Sequence, residues 1–372
     1  MAITEHAASP GSRVRPPRPR LAAADGSAVP SAIKLAKRLG LKYVAAEALT
    51  IRRVKRGEHF SYQDAAGETI KDPETLERLK SLAVPPAYED VLYAEDANAH
   101  LQAIGRDAAG RLQYRYHPEW QKVREIRKAR RLANLAEALP KIRRSVGQHL
   151  AAEQAKRELA LAAVIDLVAR SAIRPGSESY ARMRGTRGAA TLLKSNVVVA
   201  GDMITLSFKA KGGKQVVKEF SAPRLCEAIA TLRKLPGRRL FQYQTEDGAV
   251  KHVTAQEVND FLREIAGCQI SLKDFRTLLA SVTVLDALAK EERAGSQRAR
   301  RKQVLEAIRA AADELSNTPA ICGKSYVHET VVTAFEEGIL EQFAEELRSC
   351  RSVARREQVL AEVIATAAEA AA

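Results

Sequence analysis

The sequence lacks the patterns that metal sites, disulfide frameworks and membrane spans require. Its four cysteines form no Cys-x-x-Cys pair, which favours reduced thiols over a zinc site or disulfides. No apolar run approaches the roughly 18 residues of a membrane span. The N-terminus has no apolar signal core, so secretion is not expected. No carboxylate or histidine cluster indicates a bound metal, and none is expected as a cofactor.

A nucleotide-binding phosphate loop is also missing. Lys211, Gly212, Gly213 and Lys214 resemble part of one, but no glycine stands five residues before Gly213. Gln215 follows Lys214, where that loop requires serine or threonine. The segment therefore does not match a phosphate loop.

Positive charge is in excess. The 372 residues carry 60 Lys and Arg against 45 Asp and Glu, a formal net charge of +15. Such a surplus favours a polyanionic partner, most often nucleic acid, although a merely basic protein stays an alternative. The length suffices for two domains and a sizeable core.

Residues 1–33 combine five prolines with interleaved arginines and too few apolar residues to form a core. This composition predicts a disordered basic arm. The arm either contacts DNA phosphates without specificity or is a tail without function.

Residues 34–118 show the signals of a β-rich domain. Alternating residues at 49–54 and 60–62 flank a turn at Arg56 and Gly57. Strand patterns at 99–104 and 112–116 flank a turn-rich segment. Arginines and tyrosines on exposed strands suit phosphates and base edges, although tyrosines can simply pack a small sheet.

Residues 119–345 are predicted to be mostly helical, beginning with a helix that carries a basic face. A three-stranded antiparallel meander interrupts the helices, with Lys211 at its second turn. Residues 293–302 indicate a charged, mobile connection. Asn317 and Pro319 predict a helix start that places Tyr326 two turns into the helix. Residues 346–372 form an Ala/Glu-rich tail, helical or frayed.

Five segments of the chain match one known family in order and approximate spacing. They are Gly-Arg-Leu-Gln-Tyr-Arg-Tyr (110–116), Ile-Arg (173–174) with Tyr180 beyond, Phe-Lys-Ala-Lys (208–211), Lys-Asp-Phe-Arg-Thr (273–277), and Asn-Thr-Pro (317–319) with Tyr326. On these segments, which span about residues 40 to 340, the chain resembles the type IB DNA topoisomerases in their compact bacterial and poxvirus-like form. The resemblance implies an α+β fold with a small β-rich N-terminal lobe and a larger, mostly α-helical catalytic lobe that contains the three-stranded sheet.

The resemblance also implies a role for each matched residue. Tyr326 is the nucleophile, Arg174 and Arg276 bind the scissile phosphate, and Lys211 is the general acid, which Lys273 assists. Asn317 stands where viral and eukaryotic members have histidine; it can donate a hydrogen bond but cannot carry charge, so a weaker step is expected. The implied DNA contacts are Arg111, Gln113, Tyr114, Tyr116 and Tyr180.

The activity implied is relaxation of supercoiled double-stranded DNA through a 3′-phosphotyrosyl intermediate, without ATP, metal or other cofactor. The expected protein is a cytoplasmic, nucleoid-associated monomer that closes as a clamp around the duplex. Two alternatives remain at this stage. A tyrosine recombinase shares the chemistry but typically has a helical DNA-binding lobe and a His-x-x-Arg box, and a non-catalytic basic DNA-binding protein would form no covalent adduct.

Overall fold

The computed structural model describes residues 31–370. The predicted basic arm, residues 1–33, lies outside this part of the chain except for its last three residues. The described chain has a β-rich N-terminal part and a larger helical part, as the sequence predicts.

The N-terminal part is built on a five-stranded antiparallel sheet with the strand order β2-β1-β3-β4-β5. Helix α2 covers it, and buried Leu79 of this helix joins Ile51, Tyr62 and Tyr93 in a small core. The elements are α1 (Ala32–Arg38), β1 (Ile51–Arg56), β2 (His59–Gln63), α2 (Pro73–Ser81), β3 (Glu89–Tyr93), β4 (Leu101–Arg106) and β5 (Leu112–Tyr116). Both predicted hairpins are confirmed.

Helix α3 (Trp120–Leu150) connects the two parts over 31 residues. Its first turn packs Trp120 and Val123 against Leu35 of α1. From Leu132 onward its buried residues belong to the core of the helical part. One continuous helix thus contributes to the small cluster around α1 and to the core of the helical part.

The helical part surrounds α4, whose residues 159–168 are buried except for Asp166. The predicted meander is confirmed as β6 (Val197–Ala200), β7 (Met203–Lys209) and β8 (Gln215–Ser221). A small hairpin, β9 (Gln242–Gln244) and β10 (Val250–His252), lies beyond it. The helices are α4 (Arg157–Ser171), α5 (Glu178–Arg184), α6 (Pro223–Arg233), α7 (Ala255–Ala266), α8 (Leu272–Ala289), α9 (Gln297–Glu314), α10 (Pro319–Ser325), α11 (Glu329–Glu336), α12 (Glu341–Ser349) and α13 (Val353–Ala370).

Three predictions about the helical part need correction. The prediction that residues 293–302 form a mobile connection is wrong, because the Ser296 side chain caps α9 and the helix begins at Gln297. Helix α10 ends at Ser325, so Tyr326 is its C-cap and not an interior residue. The segment after 351 is helical, as one of the two alternatives predicts, and forms α13; it is nevertheless not a separate tail, because α13 buries Val359 and Val363 in the main core.

Within residues 31–370, no helix combines the length and apolar character needed to cross a bilayer.

Candidate active site

Tyr326 lies where the short helix α10 ends. The Thr318 side chain caps the first turn of this helix by accepting from the Ile321 amide at 3.4 Å. Beyond the helix, Ser281 Oγ of α8 donates to the Tyr326 carbonyl at 3.4 Å and accepts from the His328 amide at 3.0 Å. The chain on both sides of the phenol is therefore fixed, and only 8% of Tyr326 is exposed.

Arg276 is a charged side chain buried without a carboxylate partner among the described residues. Its Nη1 donates to the Ala172 carbonyl and its Nη2 to the Leu315 carbonyl, the latter at 3.1 Å. These carbonyls lie at the C-terminal ends of α4 and α9, where helices carry partial negative charge. The guanidinium carbon is 4.8 Å from the centre of the Tyr326 ring. Helix ends thus stabilise the cation without neutralising it.

Two non-glycine residues at these helix ends have left-handed backbone. Ala172 has φ +48° and Ser316 has φ +49°. Arg174 follows the first turn and Asn317 follows the second. Arg276 therefore ties together the two turns that carry Arg174 and Asn317.

We expect the turn at Ala172 to position Arg174. Ala172→Gly suits left-handed backbone and should leave stability within about 1 kcal/mol of wild type, with cleavage nearly unchanged. Ala172→Val should lose about 1–3 kcal/mol, because a branched side chain is strained there, and should slow single-turnover cleavage. Asp90→Val is the matched control, since Asp90 has φ +49° in the N-terminal sheet. Equal cleavage rates at saturating DNA for both valine variants would contradict this role.

The backbone of Arg174 is also fixed from a second side. The Ala189 amide donates to the Arg174 carbonyl at 2.8 Å, and Gly188 packs directly against this segment. A Cβ on Gly188 would lie 2.5 Å from both the Arg174 oxygen and the Gly176 nitrogen. Only glycine allows this close approach.

Gly188→Ala should accordingly displace Arg174. We expect a loss of about 1–3 kcal/mol in unfolding free energy and a clear fall in the cleavage rate. Gly295→Ala is the control, because a Cβ there meets no atom within 4 Å. Thermal unfolding together with single-turnover cleavage measures both effects, and a Gly188→Ala enzyme that behaves like Gly295→Ala would refute the packing argument.

A small cavity brings Arg174, Arg187 and Arg276 together, with a volume of about 10 Å³. Arg187 is not identified from the sequence, because it stands in a Gly/Thr-containing loop without a motif. Its amide donates to the Lys209 carbonyl at 2.7 Å, which joins this loop to the end of β7. The cavity is therefore lined with more positive charge than the sequence predicts.

The surrounding cations determine the ionisation of Tyr326. Burial acts to raise the pKa of the phenol, but the charges of Arg276, Arg174 and Lys273 outweigh it and the pKa is lowered from its ordinary value of 10.0. Lys273 Nζ lies 5.7 Å from the ring centre. The structure thus brings four of the predicted residues, Tyr326, Arg174, Arg276 and Lys273, into one site.

Asn317 and Lys211 occupy different situations. Asn317 Oδ1 accepts from the Thr318 amide at 3.1 Å, while its buried Nδ2 has no hydrogen-bond partner among the described residues. Lys211 lies on the exposed connection between β7 and β8, next to left-handed Gly212. It does not line the cavity that contains the arginines.

His328 follows Tyr326 by two residues but has a local structural role. It caps α11, and its Nδ1 accepts from the Thr330 amide at 3.2 Å. Burial, with a further contribution from Lys128, lowers the pKa of His328 to about 4. The ring is therefore neutral and does not replace a cationic histidine at position 317.

The predicted DNA contacts of the N-terminal part lie on β5 or directly before it. Tyr114 and Tyr116 are exposed and stacked, with ring centres 6.1 Å apart. Arg111 and Gln113 both donate to Asp107, at 2.7 and 2.9 Å. Tyr180 is an exposed residue of α5 in the helical part.

Two family models and a viral relative match long stretches of the chain. The family described as "Eukaryotic DNA topoisomerase I, catalytic core" matches residues 117–352, and "Bacterial DNA topoisomerase IB, N-terminal domain" matches residues 59–107. A viral relative, DNA topoisomerase 1B of Acanthamoeba polyphaga mimivirus, is 32% identical over 284 residues, which cover 74% of this chain and 84% of the relative. The chain therefore belongs to the type IB DNA topoisomerases, isomerases that act on DNA.

Proposed function

We propose that the enzyme relaxes supercoiled DNA by cutting one strand with Tyr326. The phenol gives up its proton to solvent, which the surrounding cations favour, and its oxygen attacks the scissile phosphorus to form a 3′-phosphotyrosine. The bond to the 5′-oxygen breaks in the same step, and that oxygen takes a proton from a general acid. The downstream duplex then rotates, and the 5′-hydroxyl attacks the phosphotyrosine to reseal the strand. The observation that carries this proposal is a buried phenol with a lowered pKa next to an arginine that has no carboxylate partner in the described part of the chain.

Arg174 and Arg276 are the proposed clamp on the non-bridging oxygens. Negative charge grows on these oxygens during attack, and fixed donors aimed at developing charge often supply the largest catalytic contribution. Arg276 Nε is buried and without a partner among the described residues, as is Asn317 Nδ2. A bound phosphate oxygen would satisfy such donors.

Lys211 is the proposed general acid for the leaving 5′-oxygen, and Lys273 the assisting group. A poor alkoxide leaving group requires proton donation. Lys211 stands on an exposed hairpin connection, so it must move towards the cut strand when DNA binds. Lys273 already lies beside the phenol.

Neither ATP nor a metal enters this scheme. The phosphotyrosine keeps the energy of the original ester, so resealing needs no nucleotide. The guanidinium groups of the proposed clamp supply the positive charge that a metal ion supplies in other phosphoryl-transfer enzymes.

We further propose that a monomer encloses the duplex between two domains, residues 34–118 and a catalytic domain that starts at residue 119. Exposed Tyr114 and Tyr116 would face DNA from the first domain, and Tyr180 from the second. Helix α3, which packs against α1 at its start and in the core of the helical part from Leu132 onward, would act as the connection of this clamp.

The lowered pKa of Tyr326 predicts the pH range in which this residue ionises, and a titration can test it. A phenol loses its proton as the pH rises, and the cations lower the pKa of Tyr326 below the ordinary value of 10.0, so Tyr326 should ionise at a lower pH than a free tyrosine. Burial raises the pKa of Tyr93 to about 12, so that residue should ionise last. Ultraviolet difference titration of wild type against Tyr326→Phe, without DNA, measures this. The difference between the two curves is the titration of Tyr326. If this step has its midpoint above pH 10, the account is contradicted.

Plasmid relaxation tests the proposed function. Purified enzyme in EDTA without ATP should relax a supercoiled plasmid that has no particular target sequence. A recombinase would require a specific site, and a non-catalytic DNA-binding protein would not change the linking number. Activity that depends on added magnesium or nucleotide would contradict the proposal.

A further inference from the structure

A second positively charged cavity lies beside Tyr326, between α3, α8 and α10. Its volume is about 200 Å³. Among its lining residues, Lys324 and Ser325 directly precede the tyrosine, and Lys273 also contacts the tyrosine ring. The cavity and the proposed catalytic site are therefore neighbours that share Lys273.

Positive charge exceeds negative charge in this cavity. The lining cations are Arg124, Arg127, Lys128, Arg131, Lys273 and Lys324, and the lining carboxylates are Glu125 and Asp274. Both carboxylates already have partners: Glu125 pairs with Lys128 at 2.5 Å, and Asp274 accepts from the Ser271 amide at 2.8 Å. Most of the cationic charge is thus left without an anion.

Two guanidinium groups in the cavity have unsatisfied donors. Arg127 Nε and Arg131 Nε are buried and have no hydrogen-bond partner among the described residues. A buried donor without an acceptor costs about 1–3 kcal/mol. Burial, followed by the repulsion of Arg131, lowers the pKa of Arg127. This arrangement is unfavourable unless an anion with several oxygens binds there.

We propose that this cavity binds a DNA backbone phosphate other than the scissile one, held mainly by Arg127 and Arg131. This inference rests on the proposed function, because it places the second phosphate next to the one that Tyr326 attacks. One guanidinium group can donate two parallel hydrogen bonds to two oxygens of a phosphate, and Arg is therefore the preferred residue for recognising phosphate. The second phosphate would fix the register of the cut strand relative to Tyr326.

Salt-dependent DNA binding tests this assignment. Arg127→Gln and Arg131→Gln are made in a Tyr326→Phe background, so that binding to a short duplex is measured without cleavage. Each should weaken binding about tenfold at low salt, and each should reduce the slope of log affinity against log salt by about one. Arg144→Gln is the matched control, because it is an exposed arginine on the same helix, about 20 Å beyond Arg131.

The possible outcomes separate this inference from the proposed function. Unchanged slopes for both cavity variants, with folding confirmed by thermal unfolding, would overturn the second phosphate site even if the enzyme relaxes DNA. Saturable binding of inorganic phosphate that both variants abolish, without a change in the DNA slope, would also overturn it, because the cavity would then hold a free anion. Reduced slopes, together with the absence of a covalent adduct when the enzyme that keeps Tyr326 is incubated with DNA, would support the site and refute Tyr326 as nucleophile.

Discussion

Tyr326→Phe should abolish plasmid relaxation and covalent attachment to DNA, with a loss on the order of ten thousandfold or more. Removing the nucleophile of a covalent enzyme eliminates the main pathway and leaves only the effects of binding and electrostatics. The substitution removes one hydroxyl from a side chain whose backbone remains fixed by Cys322 and Ser281. DNA affinity should therefore change little.

Tyr243→Phe is the matched control for this experiment. Tyr243 is also a buried tyrosine of the helical part, and its hydroxyl donates to Glu257 at 3.1 Å. We expect this variant to keep relaxation activity and to lose at most a small amount of stability. Residual relaxation by Tyr326→Phe within tenfold of this control would mean that another group attacks the DNA.

Arg174→Ala and Arg276→Ala should each slow cleavage on the order of a hundredfold or more. Both remove donors from the oxygens on which charge develops, and one such donor is typically worth about 3 kcal/mol. Single-turnover cleavage at saturating DNA isolates this effect from binding. Rates close to wild type for both variants would refute the arginine clamp.

The two arginine variants should differ in stability. Arg174 is partly exposed, so Arg174→Ala should unfold near the wild-type temperature. Arg276→Ala leaves the carbonyls of Ala172 and Leu315 without their donor and should cost about 2–5 kcal/mol. Arg276→Lys keeps a positive charge, but the ammonium group lacks the planar set of donors that reaches both carbonyls. We therefore expect intermediate losses of stability and of cleavage rate. Identical unfolding temperatures for Arg174→Ala and Arg276→Ala would contradict the role of Arg276 in holding the ends of α4 and α9 together.

Local patterns were sufficient to predict much of the fold. The hairpin of β1 and β2 and the meander that ends in β8 both follow from residues close together in the chain. Strand β3 was missed because Pro85 and Pro86 interrupt the pattern before it, and because Asp90 adopts a left-handed conformation within the strand. The helical alternative for the segment after 351 is confirmed, but its packing was missed, because an alanine-rich helix does not show from sequence that Val359 and Val363 are buried in the main core.

The site could be predicted as a set of residues but not as an arrangement. The family motifs identify Arg276 and Tyr326, yet Arg276 bonds carbonyls 104 and 39 residues away. Left-handed backbone at Ala172 and Ser316 has no glycine or asparagine to indicate it. The unsatisfied donors of Arg127 and Arg131 arise only when α3 packs beside α8 and α10.

The most direct test is to identify the amino acid that becomes linked to DNA. A duplex that traps the cut strand is incubated with the enzyme in EDTA without ATP, the reaction is stopped with SDS, and the product is digested with trypsin. The account predicts a 3′-phosphate joined to the peptide that begins at Ser325, through Tyr326. Linkage to a 5′-phosphate, linkage through another residue, or an adduct that forms only with a metal ion would contradict it.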